Sequence, residues 1–306
     1  MSIKDKTEAA RSFLAPFEEG INRFLPDPRL IPGLAWIVVV LGGSLTTVFL
    51  YSFMNDPLAG DFGITFEHYR RFLGSSLYQS IMVDSILIAI KTTIGALLIG
   101  YPLAYYIAMQ SNRRNLLLLV VIAPIWINEV IRYFAWILIL DRNGVVNWLL
   151  VDAIGVISDP LRLIYTENAV VISLVHPLLP YMVIPIVASL IQIDYSEIEA
   201  AKNLGATRLQ AFWEVSLPQT KSGIVAGSTF VFVLSSGAYL APVLLGGNQN
   251  QMIANFIGVM FAEGQNWNFG AVLAMVYSFL IILLFVFVGK FMDVELSGTS
   301  SVEDDS

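Results

Sequence analysis

Apolar residues gather along the chain in long runs, roughly Ile31 to Phe53, Asp84 to Met109, Leu116 to Leu140, Asn168 to Ile193, Gly223 to Leu245 and Gly270 to Val288, parted by shorter polar stretches. A bilayer core about 30 Å thick needs roughly 20 apolar residues per helix, so these runs are of a length to cross it. Backbone polar groups cannot stay unpaired in hydrocarbon, which predicts an α-helix for each run. The 3.6-residue period is blurred because most helix faces meet lipid or another helix. The pattern therefore predicts an all-α polytopic membrane protein, a bundle of six transmembrane helices within residues 31–292.

Composition agrees. Of 306 residues, 56% are hydrophobic and 13% charged, whereas a soluble domain carries about 25% charged residues. The net charge of -7 owes much to an acidic tail, residues 293–306, ending in Glu303, Asp304 and Asp305, and says little about substrate. Cysteine is absent, which excludes disulfides and thiolate metal sites. No basic, aromatic-interleaved face points to nucleic acid.

Basic residues set the expected orientation. With the N-terminus inside, the inner segments hold Lys4, Lys6, Arg11, Arg23, Arg29, Arg113, Arg114, Lys202, Arg208, Lys221 and Lys290, against Arg70, Arg71, Arg142 and Arg162 outside. Both termini are expected in the cytoplasm, which requires an even number of spans. Residues 1–30 lack a secretory signal pattern; Phe13, Phe17, Ile21 and Phe24 recur at helical spacing opposite Arg11, Glu18 and Arg23, as in a helix lying in the membrane interface. Two outer segments, Val145 to Ile157 and Gln251 to Phe261, are apolar but too short to cross, and are expected as helices on or dipping into the outer surface.

The most informative segment is the inner loop from Asp194 to Pro218. Ser196 with Glu199, and Thr207 with Gln210, each have capping-box spacing and predict two short helices. Gly205 lies between them, where a left-handed residue ends the first helix and sets its angle to the second. Ala200 and Ala201 keep one face small, and Leu204, Leu209, Phe212 and Trp213 supply apolar surface for docking or anchoring. Pro218 is placed to start the fifth span, where its missing N–H costs nothing.

Glu199-Ala200-Ala201, Gly205 after three more residues, and Val215-Ser216-Leu217-Pro218 after nine resemble the EAA signature of binding-protein-dependent ABC importer permeases. Further likeness lies in Pro124-Ile-Trp126, Ile131-Arg132-Tyr133, Ala135-Trp136, Gly144 with Asn147, and Leu244-Leu-Gly-Gly247, which resemble the spermidine/putrescine branch of that family. Ala238 stands where that branch often has glutamate. The resemblance implies a type I importer permease (MetI-like) bundle in the bacterial inner membrane, with Glu199, Ala200, Ala201, Gly205, Leu217 and Pro218 in a coupling helix that sits in a cleft of an ATPase. It implies two ATP-binding subunits carrying ATP and Mg, a second permease, and an external substrate-binding protein. This chain has no Gly-x-x-x-x-Gly-Lys-Ser/Thr loop to hold nucleotide phosphates, so it is expected to bind no cofactor and catalyse no hydrolysis.

Charges within spans usually face a cavity or a partner. Asp84, Lys91, Glu129 and Arg132 are the candidates. Glu129, Arg132, Tyr133 and Trp136 share one helical face, which either lines the substrate path or buries a Glu129–Arg132 ion pair. Asp84 and Lys91 either pair or reach toward opposite interfaces. Trp126, Tyr181 and Tyr239 offer faces for cation-π contact with an amine, or simply pack. Pro177, Pro180 and Pro185 predict kinks in the fourth span. His68 and His176 are isolated, and no nucleophile-base or metal constellation supports an intramembrane enzyme. The favoured cargo is a polyamine or related small organic amine, with an opine-like or other small polar metabolite as the alternative. A stand-alone secondary transporter or channel would leave the capped loop without a role.

Overall fold

The computed structural model describes residues 31–57, 60–262 and 266–297; the expected interfacial helix within residues 1–30 and the last part of the acidic tail lie outside them. The chain divides into two compact units, one ending at Phe66 and one beginning at Glu67.

In the first unit the leading apolar run is helical throughout, as α1 (Ile31–Ile37), a π-helical turn (Val38–Gly42) and α2 (Gly43–Phe53). Its side chains are largely exposed, as for a helix whose solvent is lipid. A two-stranded antiparallel hairpin follows, β1 (Met54–Asp56) and β2 (Asp61–Ile64), a departure from the expected all-helical chain. Asp61 Oδ2 accepts from the Asn55 side-chain amide at 2.8 Å, and Asp61 Oδ1 accepts from the Gly63 N–H at 3.0 Å. These bonds hold the carboxyl of Asp61 below its ordinary pKa.

The second unit holds α3 (Glu67–Leu73), α4 (Ser76–Tyr105), α5 (Arg114–Ile122), α6 (Glu129–Leu140), α7 (Val145–Trp148), α8 (Glu167–Leu190), α9 (Tyr195–Asn203), α10 (Arg208–Ala211), α11 (Leu217–Gln219), α12 (Lys221–Ser236), α13 (Ile253–Ala262) and α14 (Trp267–Ser297). Helix α4 continues through a π turn to Gln110, so the second span begins at Ser76, earlier than its apolar run, and Asp84 and Lys91 lie inside the helix. They do not pair: Lys91 forms an ion pair with Glu167 at the start of α8. The two segments too short to cross are the short helices expected, α7 with a π turn to Ala153, and α13.

Helices α4, α8 and α12 form the centre. Ala96, Ala104 and Ile107 from α4 and its π turn, Met182, Val183, Ile186 and Leu190 from α8, and Val231 from α12 are buried in one cluster. Lipid tails are as apolar as these side chains, so packing and small residues rather than water exclusion must bring the helices together. The contact of α12 with α8 depends on it: a Cβ at Gly223 would meet Pro185 O at 2.6 Å, and one at Gly227 would meet Met182 O at 2.9 Å. A second cluster gathers Ile81 and Met82 with Ile253, Phe269, Val272 and Leu273.

Two spans differ from their expected form. The third is not one helix. Helix α5 runs into a 3-10 turn (Ala123–Trp126), Ile127 is extended, and α6 starts anew with Asn128 as its N-cap. The fifth stops at Ser236 and is helical again only from Leu240. By contrast α8 stays helical from Glu167 to Leu190 despite its three internal prolines. The interruptions fall where Pro124 and Gly237 stand, and Pro124 and Asn128 had given the signal: proline lacks a donor, and asparagine is a strong N-cap.

Candidate functional site

The two interruptions wall one cavity of about 840 Å³. Trp126, Glu129, Arg132 and Tyr133 come from the third span, Tyr181 and Pro177 from α8, and Gly237, Ala238 and Tyr239 from the gap in the fifth. Six of the seven side chains expected to line a path are thus brought together. Trp136 is the exception: its ring lies edge-on to His176 at 6.0 Å and does not line the cavity. Trp136 keeps the face of Glu129 but stands seven residues further along it, about 10.5 Å at 1.5 Å per residue, where His176 of α8 lies against it.

The expected alternative of a Glu129–Arg132 ion pair is not what forms. Arg132 Nη1 donates to the carbonyl of Pro124 at 2.9 Å, a second bond to a group that also accepts from the N–H of Ile127 at 3.3 Å. Glu129 Oε1 accepts from the hydroxyl of Tyr133 at 3.0 Å, and Tyr133 is almost wholly buried. Glu129 sits in the first turn of α6, where the helix dipole favours a carboxylate. Asn128 Oδ1 accepts from the N–H of Val130 at 2.9 Å and fixes that first turn. In the other gap Tyr239 O accepts from the Asn255 amide at 2.7 Å, and Ser236 O accepts from the hydroxyl of Tyr277 at 3.1 Å. The gap is therefore held by side chains from α13 and α14.

Among the lining side chains Glu129 is the only carboxylate, and it shares the cavity with the rings of Trp126, Tyr133, Tyr181 and Tyr239. Trp126 is 84% exposed. The cation Arg132 is turned to backbone carbonyls. A carboxylate and aromatic faces around one space are groups that can replace part of the hydration of an organic cation.

At the other end of α12 the loop 194–218 folds as two capped helices. Its first cap differs from the expected Ser196–Glu199 box: Asp194 is the N-cap of α9, its Oδ1 accepting from the N–H of Ser196 at 2.9 Å. That bond holds the Asp194 carboxyl below its ordinary pKa. Glu199 instead pairs with Lys202 at 3.0 Å, which lowers its pKa. The second box forms as expected, Thr207 Oγ1 accepting from Gln210 N–H at 3.2 Å and Gln210 Oε1 from Thr207 N–H at 2.8 Å. Gly205 has φ +96°, Ala206 N–H donates to Ala201 O and Gly205 N–H to Lys202 O, both at 3.0 Å; this is the Schellman pattern.

The four apolar side chains of the loop divide. Phe212 packs edge-on to Tyr101 at 5.7 Å and Tyr105 at 5.5 Å, anchoring the loop to α4. Leu204, Leu209 and Trp213 are exposed, Leu204 to 91%. Ala200 is exposed beside them. Pro218 lies in α11, one turn before α12 rather than at its start. The result is a rigid handle with an apolar outer face, attached directly to the helix that ends at the cavity.

A cavity between interrupted helices and a capped handle on the connecting loop define a membrane permease driven from outside its own chain. Residues 72–294 match the family described as binding-protein-dependent transport system inner membrane component, and the chain belongs to that family: it is the multi-pass permease subunit of an ABC importer, not the subunit that hydrolyses ATP. It is 35% identical over 245 residues, 77% of this chain and 88% of the relative, to the spermidine/putrescine transport system permease protein PotB of Escherichia coli (strain K12). It is 37% identical over 224 residues, 73% and 78% of the two chains, to PotB of Haemophilus influenzae. Its fold is similar to a chain in the crystal structure of a bacterial ABC transporter involved in the import of the acidic polysaccharide alginate, with a TM-score of 0.65, 19% identity, and 90% and 98% of the two chains covered.

Proposed function

We propose that this permease carries a polyamine or a related small organic amine through the cavity between the interrupted third and fifth spans. The observation that carries this reading is Glu129, the one carboxylate on a cavity wall that also presents four aromatic residues, Trp126, Tyr133, Tyr181 and Tyr239, while the cation Arg132 is held by backbone carbonyls. The 35–37% identity to spermidine/putrescine permeases supports it. Ala238 leaves the neighbouring wall uncharged, so Glu129 takes the part of an ammonium partner from α6.

The assembly proposed is two ATP-binding subunits holding ATP and Mg, a second permease, and an external binding protein that delivers the cargo to the outer loops. Both termini then lie in the cytoplasm, as does the handle formed by Glu199, Ala200, Ala201, Gly205, Leu217 and Pro218. The exposed Leu204, Leu209 and Trp213 present its gripping face.

The test is uptake of radiolabelled spermidine by proteoliposomes containing the full importer. A charge-assisted hydrogen bond contributes about 1.5–3 kcal/mol, so Glu129→Gln is expected to lower maximal uptake about tenfold or more. Half-saturation should be unchanged, because the binding protein makes the first capture. Wild-type uptake by that variant, or a loss that only follows its abundance, refutes the assignment.

A further inference from the structure

A second cavity, of about 310 Å³, lies between the handle and the Gln110 end of the second span. Its polar lining is Lys202 from α9, Arg208 from α10, Tyr105 and Gln110 from the second span, Tyr195, and Ser216. Lys202 and Arg208 thus place two cationic side chains on one wall. No carboxylate lines the space: Glu199 reaches Lys202 from outside it, and no ion pair engages Arg208 among the described residues. Ser216 is 1% exposed, and its Oγ has no hydrogen-bond partner. A helical serine commonly bonds back to the carbonyl four residues earlier; Ser216 does not, and the residue stands in the cavity wall with its hydroxyl buried.

Two cations with one counter-charge, a buried hydroxyl without an acceptor, and two phenols around one space are the complement of a tetrahedral oxyanion. A guanidinium and an ammonium donate to different oxygens of such a group, and the hydroxyl supplies a third donor from below. We propose that this cavity binds a phosphate group, either free phosphate or the headgroup phosphate of an anionic lipid. Its occupant bridges α9, α10 and the end of the second span, so occupancy stiffens the handle against α4. The regulatory consequence rests on the coupling role proposed above; the binding itself does not.

The full-length chain is placed in nanodiscs without the ATPase subunits, whose nucleotide sites would themselves take up phosphate. In one arm the discs hold only phosphatidylcholine, and inorganic phosphate is titrated with 31P NMR line broadening as the readout. In the other the discs hold an increasing fraction of phosphatidylglycerol without free phosphate, and native mass spectrometry counts retained lipids. Saturable binding in the first arm identifies the free anion, and in the second the lipid. In whichever arm binds, Arg208→Gln should weaken binding about tenfold, Ser216→Ala should weaken it several-fold, and Arg208→Lys should restore part of it. Arg208 is exposed, so its variants should keep the wild-type unfolding midpoint and test the site even if Ser216→Ala fails to fold. No saturable binding in either arm, or binding that Arg208→Gln leaves unchanged, overturns the proposal. Altered phosphate binding with intact transport would leave the site standing and remove only its regulatory consequence.

Discussion

Gly205→Ala isolates the geometry of the handle from its contacts. The residue has φ +96°, and a Cβ built on it meets nothing within 4 Å, so the substitution adds no clash. What it adds is backbone strain. An L-residue in the left-handed region costs about 1–2 kcal/mol, which lowers the ratio of the Schellman-capped form to competing loop conformations by about 5- to 30-fold. Asparagine tolerates this region better than alanine. Proline fixes φ near -65° and removes the N–H that donates to Lys202 O. The expected order of coupling is therefore glycine, asparagine, alanine, proline. Coupling is read as substrate-stimulated ATPase activity and uptake by the reconstituted importer, and cap opening as hydrogen exchange of the Gly205 and Ala206 amides. Equal exchange and equal uptake in the wild type and Gly205→Ala would refute the reasoning. Faster exchange with normal uptake would show that the handle's angle is not what transmits force.

Removal of the Asn128 cap by Asn128→Ala should cost about 1 kcal/mol and lower the thermal midpoint of the purified chain, with a larger loss of uptake because the first turn carrying Glu129 frays. Gly223→Ala puts a methyl group against the Pro185 carbonyl at 2.6 Å, so α12 must move away from α8; reduced yield and a lower unfolding midpoint are expected, and an unchanged midpoint would mean that the close approach is not needed. Phe212→Ala removes the rings' contact with Tyr101 and Tyr105 and should uncouple ATP hydrolysis from uptake while the chain still inserts, as measured by uptake per ATP hydrolysed.

What was legible in the sequence followed from simple rules of local chemistry and solvent. The apolar runs fixed the crossings because hydrocarbon leaves the backbone no alternative partner. Thr207, Gln210 and Gly205 specified their turns because caps act over three or four residues. Asp194 took the cap expected of Ser196 because its own carboxylate reaches the Ser196 N–H from one residue before the helix. The interruptions were harder to see. In the fourth span prolines are tolerated inside an unbroken helix, whereas one proline and one glycine open gaps elsewhere. At the gaps side chains add bonds to the backbone carbonyls, from Arg132 to Pro124, Asn255 to Tyr239 and Tyr277 to Ser236, and the last two donors come from later helices. Lys91 likewise found Glu167, 76 residues away, rather than Asp84 on its own helix. Long-range pairing of this kind has no signature in spacing.

The handle and the cavity are joined by the shortest path the chain allows. Helix α12 has 16 residues, about 24 Å of rod at 1.5 Å per residue, with the handle's last turn at one end and the gap at Gly237 at the other. A rod transmits displacement only if its flanks are fixed to something that moves with it. Gly223 and Gly227 press α12 against the backbone of α8, and the hydroxyls of Tyr101 and Thr220 lie 3.0 Å apart, tying its start to α4. Phe212 tethers the handle to that same helix. On the coupling role proposed above, a push on the exposed face of α9 and α10 would therefore be shared by α4, α8 and α12 as one block. The third span is divided by its own interruption, and Arg132 spans that gap with hydrogen bonds to its own backbone. The block carries Tyr181 and the Gly237 gap; α6 carries Glu129. On the function proposed above, relative movement of block and α6 would change the distance between the carboxylate and the aromatic wall facing it, the change needed to hold an amine in one state and release it in the other.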